Sequence, residues 1–241
     1  MSPSNAQDYA SKWTEFTRLS TTQDTLARER GRLRRWLLLP YVAFVIPIDD
    51  PAVRARLLTW QQALAPWLNY TMAPDQLHIT LHHAGTLRHS LLKGLPYTWR
   101  RGALPALARR AQPTLQDFNR FTVRLGPLNS FPNALFAEVH DDRECLRAMR
   151  LKLRRSLPVQ ARPPSAWSYL PHVTLGFWGK QPAAPLVDLM ETFRTVDPIE
   201  CEVRRVKFTI YERDTLPSST DLLSAARETV IAEFTLQERP D

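Results

Sequence analysis

The pattern His-X-Thr-Leu occurs twice in this chain, as His78-Ile79-Thr80-Leu81 and as His172-Val173-Thr174-Leu175, with the histidines 94 positions apart. Around both copies apolar and polar positions alternate: Ile79 and Leu81 in the first, then Val173, Leu175 and Phe177 in the second. A period of two is that of a half-buried β-strand, so each His shares a face with its Thr, their bases about 6.6 Å apart. A strand and then a helix precede each motif: residues 41–48 and 52–68 before the first, 134–140 and 141–157 before the second. A chain built this way is constrained to two similar lobes related by a pseudo-twofold axis, with the two motifs meeting in the cleft between them.

The remaining pattern fills in around that repeat. The first motif strand is expected over residues 76–82, a helix near 103–111, a strand over 118–125, a helix over 185–193 and strands over 201–211 and 229–236. Gly126-Pro127 and Phe131-Pro132-Asn133 read as turns. Paired aspartates at 141 and 142 suit the positive end of the following helix. Strict alternation places His82 beside His78 and Thr80 and turns His83 the other way. It also puts Arg205, Lys207, Thr209 and Tyr211 on one face.

With 241 residues, 44% of them hydrophobic, the chain is long enough for a substantial core. Thirty-two Lys and Arg against 24 Asp and Glu leave a formal charge of +8, which favours phosphate-bearing or polyanionic partners. Basic residues cluster in residues 28–35 and 88–101, where they could serve RNA or simply form solvated faces. Two cysteines are too few for a disulfide framework or a cysteine-based zinc site. The first residues lack the order of a signal peptide, and the apolar run near residues 36–46 is too short for a membrane span. The chain is therefore read as a cytoplasmic monomer without a membrane segment, its residues 1–35 a polar extension, helical in parts, and residues 36–241 the two-lobed domain.

Two imidazoles and two hydroxyls converging on one small group suit phosphoester chemistry. Cleaving a cyclic phosphate needs a base that takes a proton from water and an acid that protonates the departing ribose oxygen, and two groups titrating near neutrality can hold opposite protonation states. Which histidine is the base stays open. Tyr41, Phe131 and Trp178, near strand ends or turns, and Tyr211 are candidates for holding a nucleobase or phosphate, and His82 for an extra imidazole in the cleft. A metal site from His78, His82 and His172 is a weaker alternative, since no Asp, Glu or Cys stands nearby at ligand spacing. Another is a catalytically silent RNA- or nucleotide-binding module.

Those residues, His78-Ile79-Thr80-Leu81-His82-His83-Ala84-Gly85, Pro171-His172-Val173-Thr174-Leu175, and the segment from Leu128 to Ala137, carry a resemblance to the two-histidine phosphoesterase superfamily, which includes RNA 2′,5′-ligase-like proteins and cyclic phosphodiesterases. It spans roughly residues 37–236. The resemblance implies an α+β fold in which two antiparallel sheets form a V-shaped cleft, with His78 and His172 as the acid/base pair and Thr80 and Thr174 as phosphate-oxygen donors. It further implies metal- and cofactor-independent chemistry on 2′,3′-cyclic phosphate ends, cyclic nucleotides or 2′,5′-linked RNA, possible in reverse as ligation.

Overall fold

The computed structural model describes residues 3–24, 40–87, 97–162, 169–212 and 227–238. Its helices form where capping and apolar spacing agree. Helix α1 spans Pro3–Thr17, and after strand β1 (Tyr41–Pro47) comes α2 (Pro51–Leu64). Asp50 caps α2 by accepting from the N–H groups of Ala52 and Val53 at 2.8 and 3.2 Å, and Pro51 fits the first turn, whose amides need no partner. Val53, Leu57, Trp60 and Leu64 then bury one stripe. A single turn leads into β2 (Leu68–Thr71), a short strand the alternation did not predict because it is too brief to show a period. The first motif lies on β3 (His78–Leu87), followed by β4 (Thr98–Trp99) and α3 (Leu104–Gln116).

The second half repeats the order: β5 (Phe121–Phe131), β6 (Ala134–His140), α4 (Cys145–Ser156), the second motif on β7 (His172–Trp178), α5 (Ala184–Arg194), β8 (Ile199–Val203), β9 (Arg205–Glu212) and β10 (Arg227–Thr235). The strands follow one hydrogen-bonded path, β10-β9-β1-β3-β7-β6-β5-β8, with β2 beside β7 and β4 beside β3. Two four-stranded antiparallel halves thus meet edge to edge along the motif strands, where Ile79 pairs with Val173. The expected fold class, α+β with two antiparallel sheets around a cleft, is the one observed.

Three local expectations are corrected. Gly126-Pro127 is not a turn: β5 runs through it, a register shift between Leu125 and Leu128 absorbing the pair, with Gly126 at φ 101°. The helix expected from residue 141 begins at Cys145, because Glu144 sits in the left-handed region at φ 54°, where a helix cannot continue. Asp141 still serves its first turn, accepting from Leu146 N–H at 2.6 Å, while Asp142 pairs with Arg124 at 2.9 Å. The strand expected over residues 201–211 breaks at Arg204, and its two pieces belong to different halves: β8 pairs with β5, and β9 with β1. The alternation changes phase at Arg204-Arg205, from Cys201 and Val203 to Val206 and Phe208, and that doublet is the trace the crossing leaves in the pattern.

Both faces of β3 and β7 are specified by packing. Ile79 and Val173 are fully buried on the core side with Phe44, Leu57, Leu175 and Trp178, so the motif His and Thr side chains stand on the opposite, cleft side. Helix α1 docks on the second half, burying Tyr9 and Phe16. The Tyr9 hydroxyl accepts from Val139 N–H at 3.0 Å and donates to the Pro171 carbonyl, beside His172. Below it the buried Glu138 carboxylate accepts from Asn129 at 2.7 Å and pairs with Arg194 at 3.3 Å and His140 at 3.0 Å. A buried carboxylate is tolerated only with such partners. The boundary drawn between residues 35 and 36 lies outside the described residues, as do residues 28–35 and the basic positions 88 and 93.

Candidate active site

The pairing of Ile79 with Val173 in antiparallel strands sets the geometry of the cleft. One step along in opposite directions, His78 comes across from Thr174 and Thr80 across from His172. The four side chains therefore form a crosswise quartet, each hydroxyl beside the imidazole of the other motif. All four are half-buried. Neither Thr hydroxyl has a hydrogen-bond partner among the described residues, so both remain available to a ligand.

The two imidazoles are oriented in the same way. His78 Nδ1 lies 2.7 Å from the carbonyl of Gln76, and His172 Nδ1 lies 2.8 Å from that of Leu170. A carbonyl can only accept, so Nδ1–H donates in each case and Nε2 carries the basic lone pair of the neutral ring. Burial pushes the His78 pKa down to about 4; the Gln76 bond opposes this, and the nearby His172 and Lys207 add to it. His172 is also lowered by burial, against its Leu170 bond. The surroundings differ. His78 stacks on Tyr211 at 5.2 Å between centroids, whereas Phe131 and Phe136 meet the His172 ring edge-on at 5.1 and 5.4 Å.

Tyr41, Phe131 and Tyr211 all stand at the cleft. Phe131 lies against His172, and Tyr41 stacks on Tyr211 at 4.8 Å and faces His83 at 5.8 Å. Arg205, Lys207, Thr209 and Tyr211 share the β9 face that borders the cleft. Trp178, the remaining ring considered for base stacking, is instead fully buried and donates its indole N–H to Ser130 at 2.7 Å.

His82 is the residue the sequence placed wrongly. A register shift between Phe44 and Val45 leaves Leu81 as an extra residue in β3, and the alternation changes phase there. His82 consequently turns into the core beside Phe44, fully buried, with Nε2 2.7 Å from the Ala161 carbonyl. His83 takes the cleft side instead. The second strand has the same irregularity, between Leu135 and Phe136, which leaves Leu175 as the extra residue. Gly176 and Phe177 occupy the places of His82 and His83. Glycine is required there because β2 crosses so closely that a Cβ would meet the Tyr70 carbonyl at 2.6 Å. With His82 on the far side of the strand, His78, His82 and His172 cannot converge on one ion. No group of three or more His, Cys, Asp or Glu among the described residues could hold a metal.

The buried His82 makes stability depend on pH. Its pKa is lowered to about 4, first by burial and then by Arg150, Arg154 and His83, against the Ala161 bond. The unfolded chain binds a proton from about pH 6.5 downward and the native state refuses it, so stability is complete above that pH and falls towards pH 4. Between pH 7 and 4.5 this residue is expected to account for a loss of roughly 2–3 kcal/mol. Urea unfolding of wild type and His82→Gln at both pH values measures it. An equal loss in the two proteins would show that His82 does not titrate in this way.

The family model described as the 2′-5′ RNA ligase superfamily matches residues 49–215, which include both motifs and both histidines. The chain belongs to this superfamily. Solved structures agree on the fold. TT0787 of Thermus thermophilus superposes with a TM-score of 0.56 at 19% identity, covering 83% of this chain and 100% of that one. E. coli LigT in its apo form gives 0.56 at 17% identity, covering 83% of this chain and 99% of LigT; its complex with 3′-AMP gives 0.54 at 18% identity over the same shares. No curated protein matches the chain in sequence. No helix among the described residues is long and apolar enough to cross a membrane. Helix α1 precedes the matched residues of this superfamily member, yet it packs directly on the second half, which carries His172.

Proposed function

We propose that this chain is a phosphodiesterase that uses His78 and His172 as a general acid/base pair on an RNA-derived substrate: a 2′,3′-cyclic phosphate end, a cyclic nucleotide or a 2′,5′-linked oligonucleotide. The observation that carries the reading is the crosswise quartet, with both Nδ1 atoms tied to backbone and both Nε2 atoms left to a ligand. A phosphate resting between the Thr80 and Thr174 hydroxyls would have an imidazole on each side of phosphorus, as displacement of a ribose oxygen by water requires. His78, kept neutral by burial and by Lys207, is the base that takes the proton from water. His172 delivers a proton to the leaving oxygen; burial lowers its pKa as well, and the bound phosphate anion beside it is what favours the protonated ring. Ligation would exchange these roles.

LigT, whose fold this chain shares, has been crystallised with 3′-AMP and with phosphate, which supports a nucleotide-sized ligand here. Tyr41, Phe131 and Tyr211 offer ring faces or edges to a base. Arg100, exposed at the end of β4, and Arg101, paired with Glu212, could extend contacts to a longer RNA.

The deciding experiment is turnover of a 2′,3′-cyclic mononucleotide by the purified chain, with and without EDTA. Conversion to a nucleoside monophosphate at a rate unchanged by chelator is expected. Binding of the nucleotide without turnover would favour the silent binding module, and EDTA inhibition reversed by zinc or manganese would favour a metal enzyme.

A further inference from the structure

A phosphodiester is an anion, and it gains further negative charge as phosphorus becomes five-coordinate. The quartet holds no permanent cation to meet that charge: two hydroxyls are neutral, and His78 is kept neutral. Lys207 stands where one is needed. On the cleft face it is in register with Val45, and Val45 is in register with Thr80, so the three form one row across β9, β1 and β3. Neighbouring strands are about 4.8 Å apart, so a lysine stem lying over Val45 spans much of the distance to the Thr80 hydroxyl. Val45 is 1% exposed on this face, where it packs with Ala43 and Tyr211.

The ammonium rests against an acid that is itself tied to the site. Lys207 Nζ lies 3.7 Å from one carboxylate oxygen of Glu228; the other oxygen lies 3.5 Å from the Tyr211 hydroxyl, which lies 3.3 Å from His78 Nδ1. Lys207 and Glu228 side chains are only 17% and 18% exposed, so solvent screens their charges poorly. The neighbouring cation on this face, Arg205, is already bound to Asp49 and Glu233, both at 2.6 Å. The pseudo-symmetric half has no counterpart among the described residues. There Thr174 pairs with Phe136 and Phe136 with Asn129, whose amide is turned away to Glu138 and the Tyr9 carbonyl.

We propose that Lys207 is the cation that binds the substrate phosphate in this cleft and that Glu228 is its resting counter-ion, released in part when the anion arrives. The inference rests on the phosphodiesterase reading above and names a group that reading lacks. It also gives Lys207 a second effect. The groups facing His78 are Lys207 and Tyr211 from β9, Glu228 from β10 and His172 from β7. Of these Lys207 alone is a fixed positive charge, and it helps keep His78 unprotonated.

Inorganic phosphate is the probe, titrated by NMR into the full chain together with a pH titration of the His78 ring. In Lys207→Gln, phosphate affinity is expected to fall about tenfold or more and the His78 pKa to rise, while Lys207→Arg, which keeps the charge, should restore both. Glu228→Gln should tighten phosphate binding. Unchanged phosphate affinity and an unchanged His78 titration in Lys207→Gln would overturn the proposal, and weaker binding in Glu228→Gln would overturn the counter-ion role. These readouts do not depend on turnover. A wild type that binds phosphate through Lys207 but hydrolyses no cyclic nucleotide would sink the phosphodiesterase reading and leave this one standing.

Discussion

Replacing His78 or His172 by Ala is expected to reduce kcat for a cyclic nucleotide by on the order of 10²–10⁴-fold, with the fold intact. In the proposed mechanism each imidazole serves one end of the same displacement, so neither can stand in for the other. The double variant should therefore be little worse than either single one. Both side chains are half-buried on the cleft face, and the core beneath them is filled by Ile79 and Val173. Their removal should leave thermal unfolding within a few degrees of wild type. Activity in either variant within about threefold of wild type would exclude a direct proton-transfer role for that residue.

Replacing Thr80 or Thr174 by Ala is expected to cost about 2.7–4 kcal/mol of transition-state stabilisation, if each hydroxyl acts as a preorganised donor to a phosphate oxygen. The hydroxyls have no protein partner among the described residues, so their removal leaves nothing else unsatisfied. The loss should fall on kcat more than on KM, because the donors matter most as charge develops. Replacement by Ser, which keeps the hydroxyl, should recover most of the rate. Steady-state kinetics of the four variants would test this, and a Ser variant as poor as its Ala counterpart would mean that the methyl group, not the hydroxyl, matters.

The two substitutions probe positions that differ in how they are reached. His78, Thr80, His172 and Thr174 could be named from the chain alone because residues two apart on a strand share a face whatever surrounds them. The same rule failed at His82, one residue beyond an irregularity that inverts the phase of alternation. A bulge is set by how one strand fits its neighbour, and nothing at Leu81 itself announces it. The repeat did contain a hint, since Leu175 is the extra residue of the second motif, but reading it requires the partner strand.

Lys207 illustrates the opposite case. Alternation put it on a face with Arg205, Thr209 and Tyr211, yet only the sheet order shows that this face borders the cleft rather than solvent. The strand expected over residues 201–211 is likewise two strands in two halves; the pattern changes phase at Arg204-Arg205, but only the pairing partners show that the pieces belong to different halves. Local periodicity and the duplicated motif were enough to give the longer elements, the two-lobed plan and the shared face of each motif's His and Thr, but not the short β2 or the passage of β5 through Gly126-Pro127. Tertiary structure alone decided the crosswise pairing of His with Thr, the burial of His82 and the approach of Lys207 to His78. Each of those depends on register between strands far apart in sequence, and register is settled by packing across the whole sheet.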